Sequence, residues 1–327
     1  MGKYLLKRFI YLIAVFFFIS LVLFFIFKAT PGDPALMMIE GGRQSMTPEA
    51  FARAHEQARA LLGLDDNYFI QYFRYLFNML TGNFGYSTAY QRPVMQVAMP
   101  ALKLTVQMNL IIMFFVFAIS IPLGIATAVK KGKAQDQITQ VITILGHSLP
   151  SFIFAILLIF TFAVRLQLFP ISGVRTPNIE GNTFELLIDR IRHMVLPVLT
   201  MTFIYIAGIT RYVRASMIEA LRMDYIRTAR AKGLREKVVV YSHAFRNSLI
   251  PLVTALVAWF IGIFSGAMIV ESIFLYNGMG QLMLSSLRAA DWSVVLAFNT
   301  FYMLLALVGN LVMDLLYLVV DPRVKLS

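Results

Sequence analysis

Few residues in this chain could do chemistry, and their spacing narrows what that chemistry is. It has no cysteine and only four scattered histidines, so neither thiolate chemistry nor a metal cluster at ligand spacing is expected. Gly132-Lys133-Ala134 lacks the upstream glycine and the hydroxyl of a phosphate-binding loop. No nucleophile stands at a usable distance from a base. The chain is therefore expected to be no enzyme and to bind no cofactor or metal itself. What remains is a charged stretch over 211–248 that holds nine Lys or Arg, three acids and His243. Beside it stand an acid inside an apolar run, Asp314, the pair Ser148 and Pro150 in a second run, and Gly262 with Gly266 in a third. A basic helical stretch can bind a partner. An acid in apolar surroundings pairs with a base or marks an ion path, a proline bends its helix, and a Gly-x-x-x-Gly pair lets another helix come close.

The elements that must position these residues are membrane spans. Of the 327 residues 59% are hydrophobic and 14% charged, against about 45–50% and about 25% in soluble domains. Runs of about 20 apolar residues cross the hydrocarbon layer as helices. Six runs qualify, over residues 9–27, 104–128, 138–164, 194–210, 249–270 and 294–320. The first is followed by Lys28-Ala29-Thr30-Pro31, not by a small-x-small cleavage site, and reads as a retained span.

The positive charges set the orientation. With the N-terminus inside, the inner segments 1–8, 129–137, 211–248 and 321–327 carry 17 Lys or Arg in 62 residues, and the outer segments carry 12 in 128. Both termini are thus predicted to be cytoplasmic. The net charge of +12 is explained by the anionic leaflet, without nucleic acid.

The chain divides into residues 1–103, one span plus an extracytoplasmic segment, and residues 104–327, a five-span core. In the outer segment Glu49 to Leu62 has helical spacing, and the aromatic run Tyr68 to Leu80 reads as an interfacial helix, as a cover over the bundle, or as a contact for an outer partner that delivers substrate. In the inner segment, Arg211 to Arg230 and Glu236 to Asn247 read as helices meeting at Gly233, an elbow on the cytoplasmic surface. Pro150 is expected to kink the third span. Ser148, Pro150 and Asp314 are candidates for the pathway or its gating, and Gly262 with Gly266 for helix packing. Asn109, His147, Thr254, Asn299 and Asn310 are polar groups that could face a cavity or bond to neighbouring helices.

Asp224-Tyr225-Ile226-Arg227-Thr228-Ala229-Arg230-Ala231-Lys232-Gly233-Leu234, followed by His243-Ala244-Phe245-Arg246-Asn247 and Ile250-Pro251, resembles the EAA loop of ABC importer permeases. Further matches run along nearly the whole chain: Pro31-Gly32-Asp33-Pro34, Gly82-Asn83-Phe84-Gly85, Phe169-Pro170-Ile171-Ser172-Gly173, Val270-Glu271-Ser272 with Gly278-Met279-Gly280, and Asp321-Pro322-Arg323. Their order is similar to the OppB/DppB-like permeases of the peptide and nickel branch. Arg227-Thr228-Ala229 stands where Glu-Ala-Ala is usual, so Arg227 cannot supply a glutamate's contact.

The resemblance implies an all-α, type I importer permease in the bacterial cytoplasmic membrane, forming half of a pathway for oligopeptides or dipeptides. It implies a second, OppC/DppC-like permease subunit, two ABC ATPases that use ATP and Mg, and an extracytoplasmic peptide-binding protein. Arg227, Arg230, Ala231, Lys232, Gly233, Leu234 and Glu236 would couple this chain to an ATPase. The alternatives are a nickel or glutathione substrate within the same family, or an ATP-independent secondary transporter, for which Asp314 would be the proton site.

Overall fold

The computed structural model describes residues 2–29, 33–248 and 259–320. Helices dominate: α1 (Gly2–Ala29), α2 (Pro34–Ile39), a 3-10 turn (Glu40–Ser45), α3 (Pro48–Leu62), α4 (Tyr68–Leu80), α5 (Val94–Val129), α6 (Ala134–Ser148), α7 (Ser151–Leu158) continued by a π-helical stretch (Ile159–Arg165), and α8 (Thr183–Arg222). Then follow α9 (Asp224–Ala231), α10 (Glu236–Val238) with a second π-helical stretch (Val239–Phe245), α11 (Met268–Ile273), α12 (Met279–Arg288) and α13 (Trp292–Val320). One short antiparallel hairpin, β1 (Tyr86–Ser87) with β2 (Arg92–Pro93), precedes α5.

Among the described residues four helices are long and apolar enough to cross a membrane, at Leu6–Ile26, Val94–Val129, Thr183–Arg222 and Trp292–Met313. A fifth results if the bent pair Ala134–Ser148 and Ser151–Arg165 is one span. The sequence-predicted fifth span cannot be placed in full, because residues 249–258, with Pro251 and Thr254, lie outside the described residues. Phe9 and Phe18 of α1 and Leu110 and Phe114 of α5 are exposed, apolar surface that suits lipid and not water.

The chain forms two compact units. Among the described residues one comprises the chain up to Ala101 together with Leu282–Asp314, and the other comprises Leu102–Gln281 with residues 315–320. In the first, α4 turns Tyr72, Leu76 and Met79 inward, and Tyr72 meets Phe24 of α1 edge-to-face at 5.5 Å. Its hydroxyl shares a 2.8 Å hydrogen bond with buried Ser20. Asp291 is fully buried, accepts from the Ser87 hydroxyl and from Ala89 N at 3.2 Å, and so ties the hairpin to the start of α13. In the second unit, Met108, Ile112 and Val116 of α5 share a core with Leu196, Met201, Val213 and Met217 of α8.

Three elements differ from the sequence reading. The apolar run read as the third span is broken by a 100° bend between α6 and α7, far more than a kink. Leu149 and Pro150 both adopt extended ψ values, 125° and 134°, because proline lacks an N–H and disfavours helix in the residue before it. The fourth helix begins eleven residues earlier than the apolar run, at Thr183, where Asn182 and Glu185 form a reciprocal capping box that a hydropathy reading passes over.

Gly262 and Gly266, expected to form a helical packing face, do not lie on one helix. The helix that contains Trp259 stops after Gly262, and Gly266 sits in non-helical chain. A Cβ on Gly266 would come within 2.0 Å of Gly280 N, so this glycine permits backbone-to-backbone contact with the start of α12. The Asn109 side-chain amide donates to the carbonyls of Ile263 at 2.8 Å and Ser265 at 3.0 Å, giving the broken helix end the partners it would otherwise lack.

Candidate coupling elbow at the end of α8

The elbow begins where α8 stops. Met223 takes extended backbone (φ −70°, ψ 151°) and serves as C-cap of α8 and N-cap of α9. This break was not legible from the helix formers around it. Two turns of α9 follow, and Gly233 then adopts φ +75°, the left-handed conformation that lets a helix end in a tight reversal. Gly233 N donates to Arg230 O at 2.9 Å and Leu234 N to Ala229 O at 3.3 Å. Arg235 is extended, and α10 runs into the π-helical stretch.

One face of the elbow is anchored. Ile226 and Ala229 of α9, with Val239, Val240 and Ala244 beyond the turn, are buried in the same core as Met217 of α8. Ser248 adds a 3.2 Å contact from its hydroxyl to the Met217 sulfur. The other face is open. Arg227, Arg230, Ala231, Lys232, Gly233, Leu234 and Glu236, all selected from the sequence, are exposed and lie within one helical turn and its reversal.

The electrostatics of that face are local. Arg230 spans the reversal to Glu236, with Nε to Oε2 at 3.1 Å and a terminal nitrogen to Oε1 at 2.6 Å. The bidentate pair holds the Glu236 carboxyl below its ordinary range and raises Arg230. Arg227 is 3.5 Å from Asp224, in a pair whose side chains are 80% and 94% exposed. Lys232 has no acidic partner among the described residues. The face therefore offers a net positive, hydrogen-bond-rich surface with an apolar tip at Leu234.

Two groups that sequence reasoning did not single out hold the frame of the second unit. Arg214 of α8 makes a bidentate pair with buried Asp136 at 2.6 and 2.9 Å. Asp136 also accepts from Gly132 N at 2.9 Å, fixing the α5–α6 connection to the stem of the elbow. No spacing rule links residues 78 positions apart. The second is Glu271, at 0% exposure. It accepts from the Thr105 hydroxyl at 3.1 Å, Ala267 N at 3.2 Å and Gln281 N at 3.0 Å, while Thr105 accepts from Met279 N at 2.8 Å. Burial pushes this carboxyl up, and the donors oppose the shift. An acid directly after an apolar run, followed by Gly-x-Gly, was the available signal.

The remaining sequence candidates lie elsewhere. Ser148 ends α6 and is exposed, and Pro150 marks the bend. Asp314 falls within α13, with its side chain outside those described. Asn299 donates to Val295 O at 2.8 Å on its own helix. Asn109 holds the broken helix end, and with Tyr205 and Trp259 lines a cavity of about 280 Å³ in the second unit.

The chain matches two family models: "binding-protein-dependent transport system inner membrane component" over residues 120–326, and its N-terminal companion over residues 1–109. It is 36% identical over 326 residues to the oligopeptide transport system permease protein AppB of Bacillus subtilis (strain 168), covering 99% of this chain and 100% of the relative. To the dipeptide permease DppB of Escherichia coli (strain K12) it is 33% identical over 342 residues, 99% of each chain. To the glutathione permease GsiC of the same strain it is 33% identical over 325 residues, again 99% of each. The fold aligns with a chain of the MetNI methionine ABC transporter, solved in inward-facing conformations, with a TM-score of 0.50 at 17% identity, over 67% of this chain and 96% of that one. With full-length identity above 30% and models covering nearly every residue, this chain belongs to the inner-membrane permease components of binding-protein-dependent ABC transport systems.

Proposed function

We propose that this permease forms half of the transmembrane pathway of an ATP-driven importer of short peptides, with six spans and both termini cytoplasmic. The observation that carries the reading is the exposed elbow, anchored by Ile226, Ala229 and Val239 and reversed at Gly233. It is a rigid protrusion of charged residues on a stem, α8, that is itself long enough to cross the membrane. The relatives are permeases for oligopeptides, dipeptides and glutathione, all of them peptides, which supports that substrate class.

Peptides are zwitterions, and moving their charges through hydrocarbon costs several kcal/mol per ion or more. A water-filled route between helices of this chain and a second permease subunit removes that barrier. Two ATPase subunits, using ATP and Mg, supply the direction, and an extracytoplasmic binding protein delivers the peptide. Closure of the ATPases moves the elbow, and α8 carries that motion into the spans. Arg227, Lys232 and Leu234 present the contact face, and the Arg230–Glu236 pair fixes its shape.

The test is Gly233→Pro, which removes the N–H bonded to Arg230 O and forbids positive φ. The variant should insert normally and lose peptide uptake together with vanadate-sensitive ATP hydrolysis in the copurified complex. Normal uptake by this variant, or uptake persisting in ATP-depleted cells, would overturn the reading.

A further inference from the structure

Within the first unit, Phe24 and Lys28 of α1, Arg74, Tyr75 and Asn78 of α4, and Leu296 of α13 line a cavity of about 200 Å³. Its walls are mostly apolar and aromatic. Among the described residues its charged groups are the two cations, and no carboxylate lines it. Arg74 is held by Asp66, 2.6 Å away. Lys28 is half-buried, its ammonium 5.9 Å from the centre of the Phe24 ring, and no carboxylate pairs with it among the described residues. The neighbouring cation Arg59 is already bonded to Asp33 at 3.3 Å and to Asp65 at 2.6 Å. One uncompensated positive charge therefore faces the cavity, and a half-buried ammonium without a counter-ion is a group that an anion stabilises.

The position of the cavity identifies the anion. The apolar stretch of α1 that is fit to cross a membrane ends at Ile26, which puts Lys28 two residues beyond it, at the depth of lipid phosphates. The other face of α4 exposes Phe69, Phe73 and Phe77, the aromatic surface that settles at a membrane interface. A free phosphate would gain nothing from Phe24, Tyr75 and Leu296, whereas a lipid would cover them.

We propose that this cavity binds the headgroup of an anionic phospholipid. Lys28 and Arg74 take the phosphate oxygens, Asn78 bonds the headgroup, and the aromatic wall takes the glycerol and upper acyl chain. A single phosphodiester matches the single uncompensated charge.

The experiment is native mass spectrometry of the full chain, purified with the subunits that accompany it, delipidated in detergent and titrated with phosphatidylglycerol or phosphatidylcholine. The wild type should hold phosphatidylglycerol on the order of fivefold more tightly, the effect of about one charge near a membrane surface. Lys28→Ala should erase that preference and Lys28→Arg should keep it. Leu296→Trp, which fills the cavity and leaves both cations in place, should weaken both lipids without changing the melting temperature of the lipid-free protein. Equal binding of the two lipids by the wild type would overturn the proposal. So would an unchanged preference in Lys28→Ala, undiminished binding by Leu296→Trp, or displacement of phosphatidylglycerol by millimolar inorganic phosphate, which would make the site one for a free anion.

Discussion

The elbow around Gly233 and the knot around Glu271 lie in the same unit and solve opposite problems. At the elbow the reversal is held by two backbone hydrogen bonds and one ion pair, Arg230–Glu236, whose side chains are 47% and 56% exposed. At the knot a carboxylate at 0% exposure is surrounded by donors from α5, from the chain before α11 and from the start of α12. Tyr276, equally buried, adds a hydroxyl donated to Leu104 O at 3.3 Å. Low dielectric strengthens the bonds of the knot and makes the loss of any one of them expensive. Water and salt screen those of the elbow. The elbow is a surface to be touched and moved, whereas the knot is a joint that resists motion.

The sharpest way to break that contrast is Glu271→Ala. It leaves three or more donors buried without an acceptor, and stability should fall by about 3 kcal/mol or more. Thermal melting of the detergent-purified protein checks this. A variant that melts with the wild type would mean that the knot is not a joint.

Next in size is Gly233→Val. Valine at φ +75° is disfavoured by roughly 1–2 kcal/mol, a strain that the exposed reversal at residues 230–238 can shed by rearranging locally. Melting should therefore move little, while uptake falls on the order of tenfold, the change that about 1.4 kcal/mol of lost preorganisation produces. Equal losses in melting and in uptake would make the elbow as integral to the fold as the knot.

The difference between the two regions also explains which of them could be read in the sequence. The elbow is local: helix formers, one glycine and a cluster of charges lie within a few residues of each other, so its turn at Gly233 followed from spacing, and its contact residues from the resemblance to the EAA loop. Even there the break at Met223 escaped, because nothing in Ala220-Leu221-Arg222-Met223 opposes a helix. The knot joins residues as far as 174 positions apart and the Asp136–Arg214 pair residues 78 apart, and no periodicity carries such pairings. Four of the six apolar runs coincide with helices long and apolar enough to cross a membrane. The interruptions of the others were not legible: Pro150 announced a kink but not a 100° bend, and the Gly-x-x-x-Gly at 262 and 266 suited a helix that ends before its second glycine. Ends of elements depend on partners such as Asn109, and a partner is a property of the fold.

The smallest effect is expected from Glu236→Gln, and its pH dependence is what sharpens the comparison. Arg230 lowers the folded-state value of the Glu236 carboxyl. The pair's contribution is therefore present above the ordinary glutamate value and disappears as pH falls through the lowered one. Because both side chains are about half exposed, the contribution at neutral pH should stay under about 1 kcal/mol. Amide exchange at Gly233 and Leu234, measured side by side in wild type and variant, should then be up to about fivefold faster in the variant at neutral pH. The two should converge once the carboxyl is protonated and the pair is lost in the wild type as well. A larger difference at neutral pH would mean that the pair is shielded from water and that the elbow is stiffer than its exposure implies. No difference would leave the reversal to Gly233 and its backbone bonds alone, and the contact face would then be shaped only when a partner seats on it.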